Sequence, residues 1–321
     1  MEKCCIIYNE PRDGALADEL DVLDQVSQIE EHLKMLGIEV YRKGITARFM
    51  DEMATLESEK PDFVFNLVES INNKGELNYF IPALLNMYSI PYSGNPLEAI
   101  FITSNKTLAS KAMKDAGIKN PSLYLPSQYS LLTSGGKYIV KPVWEDGSLG
   151  ITDESVFECK PGFEKKLQGL DDAHWFIEDF IDGREFNMSV LAGKDGPEVL
   201  PPAEIVFVNY NKNKPRIVDF KAKWEIDSFE YLNTVREFPG KNLNGKLEKN
   251  LKGAALACWH LFGLKGYARV DARTDSNENV YVIEINANPC ISPDGGFVAA
   301  TKEAGYPFID VIQRIINDLN I

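Results

Sequence analysis

The chain is poor in the residues that most often carry catalysis or crosslinks. Of its 321 residues, three are histidine (His32, His174, His260) and five are cysteine. The histidines are too scattered for an HxxxH pair or a metal cluster, so imidazole-centred chemistry is not expected. An odd number of cysteines with no CxxC spacing excludes a disulfide framework and a thiolate zinc site, and fits a reducing compartment. No apolar run reaches the ~18 residues of a membrane span. The start, Met1-Glu-Lys-Cys-Cys-Ile-Ile-Tyr8, reads as a short strand rather than a secretion signal. Positive charge is scarce too: 34 Lys and Arg against 48 Asp and Glu leave a net charge of −14. That balance disfavours nucleic acid and anionic membranes as partners. A soluble, cytoplasmic protein is expected. Its 44% hydrophobic content suffices for a core divided among two or three domains.

Strand-like and helix-like segments alternate over the first hundred residues. Cys4–Tyr8, Ile38–Tyr41 and Pro61–Glu69 read as strands, and Asp21–Leu36 and Leu77–Tyr88 as helices. Leu23, Val26, Ile29, Leu33 and Leu36 are expected on one helix face. This rhythm implies an α/β fold that opens with a small parallel sheet, whose ligands gather at the carboxyl ends of the strands. The turn-rich Ile90-Pro-Tyr-Ser-Gly-Asn-Pro96 marks a first boundary, and Asp182-Gly183 a second. Domains are therefore expected at 1–100, 101–183 and 184–321. The spacing predicts helices over Thr103–Ala116, Lys246–Phe262 and Pro307–Leu319, and strands over His174–Phe180, Glu198–Val208 and Val218–Trp224.

Gly266-Tyr-Ala-Arg-Val-Asp-Ala-Arg273 and Tyr281-Val-Ile-Glu-Ile-Asn-Ala-Asn-Pro289 each alternate with period 2. Turn chemistry between them, Thr274-Asp-Ser-Asn-Glu-Asn279, predicts an antiparallel hairpin. A symmetric register sets Asp271 opposite Glu284 and Arg269 opposite Asn286, with Tyr281, Ile283 and Ile285 on the far side. Facing carboxylates destabilise a strand pair unless neutralised, and a hard divalent cation would do so. The bland alternative is a charged face turned to water.

Other segments are ambiguous in the same way. Lys141 ends the apolar run Tyr138-Ile-Val140 beside Glu145-Asp-Gly-Ser-Leu-Gly150, a phosphate cradle or an ordinary turn. Glu178 and Glu185, with Phe176 and Ile177, suit the amino group of adenine and the hydroxyls of ribose, or are surface acidity. Asp219-Phe-Lys-Ala-Lys-Trp-Glu225 alternates as an edge strand blunted by lysines would.

Taken in order, these pieces resemble the ATP-grasp superfamily, specifically the D-alanine–D-alanine ligases and related carboxylate–amine ligases. The resemblance spans essentially the full length. It runs through Ile90-Pro-Tyr-Ser-Gly94, Asn105-Lys106, Val140-Lys-Pro142 with its Gly-Ser loop, Ile177-Glu178 and Glu185-Phe186. It ends on Ala222-Lys223, Arg269-Val-Asp271 and Glu284-Ile-Asn286. It implies an N-terminal pre-ATP-grasp domain and two α+β subdomains enclosing ATP. Lys106 and Lys141 would meet ATP phosphates, Glu178 the adenine and Glu185 the ribose. Gly147 and Ser148 would close over the phosphates, and Lys223 would reach the γ-phosphate region. Asp271, Glu284 and Asn286 would hold two Mg²⁺ ions, with Mn²⁺ as a substitute. Arg269, Lys223 and Ser148 would be the catalytic groups, and relatives suggest dimerisation through the first domain.

The implied reaction is ATP-dependent formation of an acyl phosphate from an amino acid or small peptide, followed by attack of an amine. Lid segments are expected at 147–150 and around Asn209–Arg216. Departures fall in the amino-acid half. The family's His-Gly motif is replaced by Val68-Glu69-Ser70, and its Ser-Pro-Gly run and later serine by Asn288-Pro-Cys290 and glycine. Glu69, Glu10 and Asp294 are candidates for holding a substrate amine, and Arg12, Arg273 and Lys74 for holding a carboxylate. A small-molecule kinase and a noncatalytic nucleotide-binding protein are the competing readings.

Overall fold

The computed structural model describes every residue except Asp13, Leu16, Glu145, Asp146 and Ile321, and the side chains of Ala17 and Asp18. The first sheet is built from β1 (Lys3–Asn9), α1 (Ala17–Met35), β2 (Glu39–Ile45), α2 (Phe49–Glu59) and β3 (Phe63–Leu67). Its order is β2-β1-β3 with both pairs parallel. Alternation along β1 supplies both faces: Cys4, Ile6 and Tyr8 enter one core cluster, Cys5 and Ile7 another. α1 begins earlier than the sequence suggests and packs through Val22, Val26, Ile29 and Leu33, leaving Leu23 at the surface. Moving the start by one turn brings Val22 into the apolar stripe.

After α3 (Phe80–Met87), the helix expected over Thr103–Ala116 is two helices, α4 (Leu97–Ser104) and α5 (Lys106–Asp115). Asn105 between them is extended, and its side chain accepts from the N–H groups of Thr107 and Leu108. The cap starts α5 afresh. A four-stranded antiparallel sheet follows, from β4 (Leu123–Tyr124), β5 (Lys137–Pro142), β6 (Val156–Glu158) and β7 (Trp175–Asp179), in the order β4-β7-β5-β6.

The third sheet holds β8 (Glu185–Leu191), β9 (Glu198–Val199), β10 (Ala203–Phe207), β11 (Thr234–Glu237), β12 (Tyr267–Thr274) and β13 (Val280–Asn286). Its order is β11-β10-β8-β12-β13, with β9 on β8. The strand expected over Glu198–Val208 is broken into β9 and β10 around Pro201-Pro202, since proline donates nothing to a ladder. The strand expected over Val218–Trp224 is instead a short helix, α6 (Phe220–Trp224), followed by α7 (Phe229–Asn233). Asp219 caps α6 by accepting from the N–H of Ala222, and the cap outweighs the period-2 pattern.

α8 (Gly245–Leu261) covers the sheet, and α9 (Gly296–Glu303) and α10 (Phe308–Ile316) return to the first one. Phe297, Val311, Ile312, Ile315 and Ile316 share a core cluster with α1 and β3. Asn320 pairs with Tyr92, which in turn lies along β3 at Val64. None of the described helices is long and apolar enough to cross a membrane.

Candidate active site

Three neighbouring strands turn one polar face to the cleft between the second and third sheets. In β8, Phe186, Met188 and Val190 enter the core, as do Ala268, Val270 and Ala272 of β12. Glu185, Asn187 and Ser189 therefore share the opposite face with Arg269, Asp271 and Arg273. The ladders form three rows: Ser189, Arg269 and Asn286; Asn187, Asp271 and Glu284; Glu185, Arg273 and Tyr281. Asp271 thus faces Glu284, and Arg269 faces Asn286, in the symmetric register. The far side of β13 differs from expectation. A bulge after Asp271 pairs Ala272 with Val282, so Val282 and Ile285 are buried and Ile283 borders the cleft beside Glu284. One extra residue in a strand reverses the alternation beyond it.

Both facing carboxylates are held by cations. Arg269 makes a two-pronged contact with Asp271, at 2.8 Å from Nε and 2.7 Å from Nη2, and Asn187 donates to the same carboxylate at 2.8 Å. Lys106 Nζ lies 3.1 Å from Glu284 Oε1. Burial opposes the charge on Glu284, yet Lys106, Lys223, Lys141 and Arg269 together keep its carboxyl well below the usual range. Burial likewise opposes the charge on Arg269, and Asp271 outweighs it, raising the guanidinium further. Among the described residues, no three His, Cys, Asp or Glu side chains cluster as a metal cage. Asp271, Glu284 and Asn286 still offer two carboxylates and an amide oxygen without imidazole or thiolate. That donor set suits Mg²⁺ and similar oxygen-seeking ions.

The second sheet supplies the facing wall. Lys141 Nζ lies 2.5 Å from Glu178 Oε1 across the β5–β7 pair; Phe176 is buried on the same face, whereas Ile177 of the expected apolar wall turns to the core on the other face. Lys106 opens α5, and its backbone N–H is tied to Val143 at 3.0 Å. Lys106, Phe176, Glu178 and Glu284 line one cleft. The charge of Lys223 on α6 bears on both Glu185 and Glu284.

Glu145 and Asp146 of the glycine loop lie outside the described residues. Gly147 and Ser148 both adopt left-handed backbone, at φ 67° and 65°. Ser148 Oγ donates to the carbonyl of Val218 at 2.6 Å, and Trp224 Nε1 donates to that of Gly147 at 3.3 Å. Lys214, from the second expected lid segment, bridges Asp153 at 2.6 Å and Glu230 at 2.7 Å. The glycine loop is thus held to Val218 and Trp224, and the 209–216 segment to Asp153 and Glu230.

The residues proposed for the amino-acid half do not all gather. Glu10 packs over Gly44 at the end of the first sheet, Arg12 donates to Asn72, and Lys74 sits beside Glu76. Glu69 approaches Tyr267, and Asp294 accepts from Ser292 at 3.2 Å. Arg273 is buried away from the others, against Phe180 and Glu185. Cys290 was marked by the Asn288-Pro-Cys290 departure, but sequence reasoning missed Asp21, Arg236 and Asn187. Cys290 donates to Asp21 at 3.0 Å, and burial with Asp21 pushes its thiol up to about 12. Arg236 lies against Gly296 and donates to the Asp294 carbonyl at 3.3 Å. Asn187 was legible, because Glu185-Phe-Asn-Met-Ser189 alternates. Arg236 had no such signal.

The family model "D-ala D-ala ligase C-terminus" matches residues 134–317. The D-alanine–D-alanine ligase of Carboxydothermus hydrogenoformans is 30% identical over 276 residues, covering 82% of this chain and 82% of that protein. The D-alanine–D-alanine ligase of Bacillus anthracis superposes with a TM-score of 0.74 at 19% identity, over 99% of this chain and 97% of that one. Its complex with ATP superposes at 0.73 and 18% identity, with the same coverage.

Proposed function

The chain belongs to the D-alanine–D-alanine ligase family of ATP-dependent carbon–nitrogen ligases with the ATP-grasp fold, and from that premise we propose that it joins the carboxylate of an amino acid or small peptide to an amine by way of an acyl phosphate. The observation that carries this reading is the in-register row of Asp271 and Glu284, set among Arg269, Lys106 and Lys141. Units 1–100, 101–183 and 184–321 are proposed as its working parts.

In the first step the substrate carboxylate takes the γ-phosphoryl group of ATP and ADP leaves. In the second, an amine attacks the acyl carbon, phosphate departs and the amine loses a proton. Lys106 and Lys141 bind the phosphates as point charges, Glu178 accepts from the adenine amino group, and Glu185 accepts from the ribose. Asp271, Glu284 and Asn286 would hold Mg²⁺, which when bound neutralises phosphate charge and polarises the transferring group. Arg269, fixed by Asp271, presents positive charge where the tetrahedral oxyanion builds. Lys223 serves the γ-phosphate end. Ser148 and Gly147, bonded to Val218 and Trp224, exclude water from the reactive acyl group. Glu69 and Asp294 border the amino-acid end, where Cys290 and Asp21 also meet, so the substrate pair is proposed to differ from two D-alanines.

The test is incubation with ATP, Mg²⁺ and a panel of amino acids and peptides, with and without hydroxylamine. ADP together with a hydroxamate is expected, and chelation by EDTA is expected to stop both. A stable phosphorylated product would mark a kinase instead. Nucleotide binding without substrate-dependent ADP release would leave only a binding protein.

A further inference from the structure

Arg273 is 4% exposed, and one of its donors is idle. Its Nη2 donates to the carbonyls of Gly183 at 3.2 Å and Arg216 at 2.8 Å. Its guanidinium lies over the Phe180 ring, 4.8 Å from the centroid. Its Nε, fully buried, has no hydrogen-bond partner among the described residues. The acceptor across the strand, Glu185 Oε2, is 3.8 Å away, beyond hydrogen-bond reach. Buried donors are rarely left idle, because each forfeits its bonds to water, and a specific exception needs a cause.

One atom can close this gap. Two groups 3.8 Å apart can both lie about 2.8 Å from a single oxygen. Arginine only donates and an ionised carboxylate only accepts, so that oxygen must accept from one and donate to the other. A hydroxyl meets both demands. A phosphate or carboxylate oxygen would meet the charge of Glu185, and a C–H group would satisfy neither partner.

We propose that Arg273 is a positioning and specificity-determining residue which, together with Glu185, reads the 2′-hydroxyl of the nucleotide's ribose. The inference rests on the assignment of Glu185 to the ribose and goes beyond it in making the guanidinium half of the reader. Arg273 and Asp271 stand on the same face of β12, so one rigid strand locates both the sugar and the phosphate-side ion.

The experiment compares ATP with 2′-deoxyATP in the whole protein, by calorimetric binding and by steady-state turnover. It uses wild type, Arg273→Lys and Arg273→Met, with folding checked by circular dichroism. Wild type is expected to favour ATP by roughly 10-fold. Both variants are expected to bring the ratio close to one, through KM with kcat little changed. An equal loss for both nucleotides, with the preference kept, would show a purely structural arginine and overturn the proposal. Equal wild-type affinity for the two nucleotides would overturn it alone, and that arm needs no variant to fold. Failure of wild type to bind either nucleotide would overturn the ligase reading as well.

Discussion

Asn95 donates from its amide nitrogen to the carbonyls of Tyr267 (2.8 Å) and Ala287 (2.5 Å), and accepts from the N–H of Lys265 (2.8 Å), while only 2% exposed. A residue from the turn after the first sheet thereby ties together both strands that carry the carboxylate pair. Asn95→Ala would strand these backbone groups without water, so a loss of about 3 kcal/mol is expected. A lower urea midpoint at unchanged slope checks it. Glu284 tests chemistry rather than stability. Glu284→Gln keeps size and shape but removes the charge facing Lys106. Turnover is expected to fall roughly 100-fold or more with the circular dichroism spectrum unchanged; turnover near the wild-type rate would refute the metal assignment.

At the scale of elements, the linkage through Lys214 has a definite pH signature. Burial opposes the charge on Lys214, but Asp153 and Glu230 outweigh it and raise the ammonium group. Lys214 in turn lowers the carboxyl of Glu230. A depressed carboxyl stabilises the fold above its unfolded value of about 4.3, and the contribution fades as pH falls through the folded value. The urea midpoint should therefore drop between about pH 6 and about pH 3, and drop less in Lys214→Met. The same variant should speed proteolysis near Asp153, because its tie to the 209–216 segment is cut.

Legibility in sequence also divides at this scale. The hairpin register was readable because alternation and turn residues act locally. The bulge after Asp271 was not, since only packing of Val282 against the core decides it. α6 was misread because a single capping bond from Asp219 settles a segment whose pattern favours a strand. Lys141, Glu178, Glu185 and Asp271 lie on strands whose period was readable, whereas Lys106 and Lys223 lie on helices. The group of Asp21, Arg236, Cys290 and Asp294 is assembled from α1, β11 and the loop after β13, whose meeting no local pattern announces.

Across the whole molecule, the first sheet shares the core on one of its two faces with the last two helices. Beneath α1 and β3 lie Phe297, Val311, Ile312, Ile315 and Ile316 from the last two helices. Each such side chain contributes roughly 1.5–3 kcal/mol on burial, against a net stability for a typical domain of only about 5–15 kcal/mol. A fragment of residues 1–100 is therefore expected to lack cooperative unfolding, and adding 290–321 in trans should restore part of it, as followed by tryptophan-independent circular dichroism. The Tyr92–Asn320 pairing carries this into the timing of synthesis. While the chain is being made, β1, β2 and β3 leave the ribosome long before their covering helices exist. The nascent protein must hold an apolar surface open until residues 297–316 arrive, and it is during that wait that it is most exposed to aggregation and most dependent on chaperones.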